Sequence, residues 1–167
     1  MTTMAIVQHD GVIHGSSVPG SLTLYSNGFI AWSGDDTGDS ATLNAGATSF
    51  NMSAPSGFSA WDSSGSCTWD PSNKGSAVTL SSGNMLATSS AGGSWSNSSV
   101  CSTTGHTNGQ RYFEITATAM TGYCSYGLAS ANATMSGYQY IGSDANSFGF
   151  ISDGDVYTVS GYSSPLR

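Results

Sequence analysis

The chain has 167 residues, 38% of them apolar and 11% aromatic, but only 8% charged, with a net charge of −7 and Lys74, Arg111 and Arg167 as its cations. Three cations are too few to neutralise the several phosphates that nucleic-acid binding requires, and no run approaches the roughly 20 apolar residues of a membrane helix, so nucleic-acid partners and membrane insertion are both argued against. The aromatic content sets the chain apart from disordered sequences, and its length suits one modest core.

In chain order, the first candidate strands are residues 22–25 and 29–32, joined by Ser26-Asn27-Gly28, where Asn-Gly supplies the positive φ angles of a hairpin turn. Asp35, Asp36 and Asp39 follow; they could offer oxygen ligands to Ca²⁺ but lack the spacing of a known calcium loop, so a solvated acidic turn is expected. Strands are predicted next at 41–43 and 48–52, then at 77–80 and 85–88 around a turn at Gly83 and Asn84. Trp32, Trp61 and Trp69 read as core, whereas Trp95 lies in the glycine-rich segment Ala91-Gly92-Gly93-Ser94-Trp95-Ser96-Asn97, which can present an aromatic ring to a ligand.

The clearest strand is 112–118, whose alternation places Phe113 and Ile115 on one face and Tyr112, Glu114 and Thr116 on the other. Further strands are predicted at 124–129, with Gly127 at a close approach, at 147–151 and at 156–159. No helical period is sustained for three turns. Many short strands of this spacing predict an all-β fold, an antiparallel β-sandwich.

Chemistry-bearing residues are sparse. Cys67, Cys101 and Cys124 are widely spaced and odd in number, which argues against a metal centre and leaves a Cys67–Cys101 or a Cys101–Cys124 disulfide open. His9, His14 and His106 have no matching nucleophile and are expected in exposed loops. Asp153 and Asp155 alternate with Gly154 in a turn, a poor setting for paired-carboxylate hydrolysis. No cofactor motif is present.

A resemblance emerges from residue 57 onward. Gly57-Phe58-Ser59-Ala60-Trp61, Trp69-Asp70-Pro71-Ser72-Asn73-Lys74-Gly75 and Val78-Thr79-Leu80-Ser81-Ser82-Gly83-Asn84 are followed by Gly109-Gln110-Arg111-Tyr112-Phe113-Glu114-Ile115. The strand from Tyr123 to Ala129, the run from Tyr140 to Phe150 and Asp153-Gly154-Asp155-Val156-Tyr157 complete the series. In this order they resemble the SPRY-like (B30.2-type) domains of bacteriophage structural proteins, which implies a SPRY/concanavalin-like sandwich whose edge loops make ligand contacts. Two departures stand out. The family's later strands are missing after Val159, while Leu24-Tyr25-Ser26-Asn27-Gly28 and the segment from Ala41 to Phe50 look like its closing strands. The expected organisation is therefore an N-terminal β segment, 1–56, that supplies the closing strands by circular permutation, completes a neighbouring subunit, or serves as an attachment element, and a SPRY-like core, 57–167.

The resemblance implies a non-catalytic virion surface component, a tail fibre, head fibre or decoration subunit, that binds a host glycan or receptor or other virion proteins, as a homo-oligomer. The start Met1-Thr2-Thr3-Met4-Ala5 lacks signal-peptide character, which fits release by lysis and a place on the virion surface. The candidate ligand-binding residues are Trp95, Asn97, Tyr138 and Tyr140. The alternatives are a virion-associated polysaccharide-degrading enzyme and an assembly protein without host contact.

Overall fold

The computed structural model describes residues 2–9, 12–14, 28–137, 139–153, 155–158 and 161–163, with 2–9, 12–14, 156, 158 and 161–163 placed as backbone. The predicted strand at 22–25 and the Asn27 turn lie outside the described residues. The strands are β1 (Thr2–His9), β2 (Val12–His14), β3 (Gly28–Gly34), β4 (Ser40–Asn44), β5 (Ser59–Ala60), β6 (Trp69–Lys74) and β7 (Val78–Ser81), then β8 (Leu86–Ser89), β9 (Ser99–His106), β10 (Arg111–Ala119), β11 (Cys124–Ser130), β12 (Ser147–Ile151), β13 (Val156–Thr158) and β14 (Gly161–Ser163). No helix occurs among the described residues.

The strands form two sheets. Sheet A runs β2-β1-β10-β4-β8-β7, with β5 attached to β10 in parallel, and sheet B runs β14-β13-β12-β11-β3-β9-β6. All other pairings are antiparallel, and the two sheets enclose one core, giving the all-β sandwich. That core follows the period of two. Phe113, Ile115 and Ala117 of β10 face Ile30 and Trp32 of β3 and Cys124, Tyr126 and Leu128 of β11 within one cluster, together with Leu43, Trp61 and Trp69. Trp32, Trp61 and Trp69 are 0% exposed, and burial of such large side chains contributes roughly 1.5–3 kcal/mol each.

Strands from the first third of the chain sit inside both sheets. β3 lies between β11 and β9, and β4 lies between β10 and β8, with Leu43 opposite Ile115 and Trp32 opposite Tyr126. Residues preceding 57 thus pair with 112–118 and 124–129 within the same chain. At the β7–β8 turn, Ser82, Gly83 and Asn84 all take positive φ.

Several local expectations change. Residues 48–52 form no strand, because the amides of Asn51 and Met52 turn toward the Glu114 carboxylate rather than toward a neighbouring strand. The histidines are not loop residues: His9 and His14 lie in β1 and β2, and His106 ends β9 with its ring edge-on to Trp61 and Nε2 bonded to the Trp61 carbonyl at 2.7 Å. All three cysteines are free and buried, so neither disulfide forms. Burial pushes the thiols of Cys101 and Cys124 up to about 12, which keeps them protonated and inert.

Candidate functional site

The outer face of sheet B is built from small residues. Cys101, Ala31, Gly127 and Gly149 stand opposite one another across β9, β3, β11 and β12, and Ser99, Ser33 and Ser125 form the neighbouring row. Such a face lets another segment approach closely, and the loop 131–146 between β11 and β12 lies on it. Ala133, Met135 and Ile141 of that loop pack with Ala31, Cys101 and Ala129, against Phe29. The glycines are required: a β-carbon on Gly149 would run into the Ile141 carbonyl, and one on Gly127 into the Phe148 carbonyl.

The sheet also supplies polar anchors, and they recur along the loop. Met135 N donates to Asn73 Oδ1 at 3.0 Å, Gly137 N to Asn97 Oδ1 at 2.7 Å, and Ile141 N to Ser125 Oγ at 3.0 Å. Ser99 Oγ donates to the Gln139 carbonyl at 3.1 Å, and Gly142 N donates to Ser147 Oγ at 2.7 Å. These bonds satisfy backbone groups of the loop, of which the amides of Ile141 and Gly142 are bonded in buried surroundings.

Loop residue Tyr140 stays half-buried, and its ring meets two others. Trp95, from the loop between β8 and β9, lies 5.3 Å away at 56°, and Tyr157 of β13 lies 5.4 Å away at 81°. Trp95, Tyr140 and Tyr157 are each only partly buried. Trp95 is fixed from behind: its carbonyl accepts from Ser98 Oγ at 2.8 Å, and the amide of Ser94 donates to the Asp35 carbonyl at 2.9 Å.

The four candidates from the sequence therefore divide. Trp95 and Tyr140 are brought into ring contact. Asn97 is a positioning residue: at φ 60° it turns the chain, accepts from Ala77 N through its carbonyl and spends its side-chain oxygen on Gly137. Tyr138 lies outside the described residues. Other contributors carry no site signal in the sequence, the anchors Ser99, Ser125 and Ser147 among them. Tyr157 was legible only as one residue of a short strand, and Asn73 carried no signal beyond its place in the motif segment from Trp69 to Gly75.

The acidic residues mostly serve the scaffold. Asp39 is fully buried rather than solvated; Oδ1 accepts from Thr121 N, Thr121 Oγ1 and Gly122 N, and Oδ2 from Asp36 N. It ties the β3–β4 turn to the β10–β11 turn. Burial raises the Asp35 carboxyl above its ordinary value, helped by Asp39 and Asp36 and opposed by the Tyr123 amide. Donors led by the Ser64 hydroxyl hold the Asp62 carboxylate down at about 2, with Ser66 and Cys67 adding to them. Asp153 Oδ1 accepts from Asp155 N within its turn. Among the described residues no group of three His, Cys, Asp or Glu is placed to hold a metal ion.

On sheet A the counterpart is Glu114, 0% exposed on the outer face of β10. Its Oε2 accepts from Asn51 N at 2.9 Å and Asn51 Nδ2 at 3.2 Å, and its Oε1 from Met52 N at 2.8 Å and the Tyr112 hydroxyl at 3.1 Å. Phe50 packs edge-on to Tyr112 at 4.7 Å, so the segment 45–56 is clamped over the strand.

No protein-family model, curated protein or solved structure matches this chain.

Proposed function

We propose that this protein is a non-catalytic binding module on a virion surface, of SPRY-like descent, and that it engages host-surface glycan through Trp95, Tyr140 and Tyr157. The observation that carries this reading is the row of three partly buried aromatic residues in ring contact, with Tyr140 on a loop anchored by Asn73, Asn97, Ser99 and Ser125, Trp95 on the β8–β9 loop and Tyr157 on β13. Large apolar side chains are more useful inside a light chain, and the other three tryptophans are all fully buried. Holding a fourth at the surface, on rigid supports, is what a stacking site for the C–H face of a sugar ring requires. The virion placement rests on the series of SPRY-like motifs from Gly57 to Tyr157, on a sandwich that suits them, and on the charge-poor composition.

The test is retention of the purified chain on a glycan array, comparing wild type with Trp95→Ala and Tyr140→Ala. Each substitution is expected to lower retention about tenfold or more, in the range of a central contact residue, with the fold intact by circular dichroism. Undiminished retention by Trp95→Ala would remove the row as the site. Release of reducing ends from a bound polysaccharide would instead establish a hydrolase.

A further inference from the structure

Resting on the glycan reading above, we infer that the ligand of the Trp95–Tyr140–Tyr157 row is an uncharged glycan, and that the site discriminates against anionic ones such as sialylated, uronic-acid or phosphorylated chains. The segments that carry the rings are 90–98, 131–146 and 152–158, and none of them contains a lysine or arginine. They do contain Asp144, Asp153 and Asp155. Asp155 is two residues from Tyr157, so their α-carbons are at most about 7 Å apart. Asp144 follows Tyr140 through a turn in which Ser143 N donates to the Tyr140 carbonyl. Trp95 adjoins a further acidic turn, since Ser94 N donates to the carbonyl of Asp35, beside Asp36.

The two cations among the described residues are committed elsewhere. Lys74 Nζ donates to the Val78 carbonyl at 2.6 Å, and the Arg111 guanidinium lies against Ser59 and Ala60 on sheet A. Arg167 lies outside the described residues. At physiological salt, charges within about 8 Å still interact, so an anionic sugar at the row would meet the carboxylate of Asp155 beside Tyr157, on a segment that carries no lysine or arginine. A neutral sugar meets the rings with no such penalty.

The experiment is a calorimetric titration of the full chain at about 0.15 M salt with neutral hexaoses (maltohexaose, cellohexaose, chitohexaose) and with acidic ones (hyaluronan, alginate and polysialic acid oligomers). The expected result is binding confined to the neutral set and weakened about tenfold or more by Trp95→Ala. In addition, the combined variant Asp144→Asn, Asp153→Asn, Asp155→Asn should gain affinity for the acidic set and leave the neutral set unchanged within about twofold. Acidic oligomers that bind wild type as tightly as neutral ones, through Trp95, would overturn the discrimination while leaving the glycan site standing. Binding of neither set, with the array also blank, would overturn the glycan reading and this inference with it.

Discussion

The two outer faces of the sandwich are covered by loops, and they are covered in opposite ways. On sheet A one buried carboxylate, Glu114, gathers the amides of Asn51 and Met52 and clamps the segment 45–56. On sheet B the loop 131–146 is spread over a face of Gly, Ala and Ser, with its hydrogen bonds distributed among Asn73, Asn97, Ser99, Ser125 and Ser147. A cover held by one charge depends on one residue. A cover held by many small contacts depends on no single residue, and that is the arrangement on either side of Tyr140. The comparison also accounts for the composition, because serine and glycine here do the docking that larger apolar side chains do elsewhere.

The largest effect is expected from Glu114→Ala. It leaves the part-buried amides of Asn51 and Met52 and the buried Tyr112 hydroxyl without their acceptor; at about 1–3 kcal/mol for a donor that stays unpaired, and less where water replaces Glu114, a loss of roughly 2–4 kcal/mol is expected in denaturant unfolding. Glu114→Gln, which keeps shape but not charge, should lose clearly less. Gly149→Ala tests sheet B by driving a methyl into the Ile141 carbonyl; overpacking of this kind costs about 1–3 kcal/mol, and here it should also weaken glycan binding by displacing Tyr140. Asn97→Ala removes the Gly137 anchor and places alanine at positive φ, for about 1–2 kcal/mol.

Asp62 gives the smallest effect. Its carboxyl is depressed from 3.8 to about 2 in the folded chain, so its contribution is full above the unfolded value and disappears as pH falls from near 4 toward 2. Asp62→Asn should flatten that part of the acid limb and change little at neutral pH, as measured by thermal melts across the pH range.

What could be read from the sequence follows the same division. β3, β4, β10, β11 and β12 were legible because their inward positions are apolar at every second residue, as in Phe113 and Ile115. β9 was not, since Ser99 and Ser102 are buried as hydroxyls rather than as hydrocarbons: Ser99 meets Ser33 at 2.6 Å, and Ser102 accepts from Ile30 N and donates to Thr104. The misread strand at 48–52 has the right alternation in Phe50 and Met52, but its amides were claimed by a carboxylate over sixty positions away in the chain. Trp95 stood out as the odd tryptophan, whereas its ring neighbours Tyr140 and Tyr157 meet only through folding.

The central claim is that a rigid, solvent-facing aromatic row takes up a glycan, and acrylamide quenching of tryptophan fluorescence tests it most directly. Trp32, Trp61 and Trp69 are fully buried, so one accessible component is expected; it should vanish in Trp95→Phe and become protected when a neutral hexaose is added to wild type. Quenching that survives Trp95→Phe, or an accessible component that stays unprotected by every neutral and acidic glycan of the array, would contradict it.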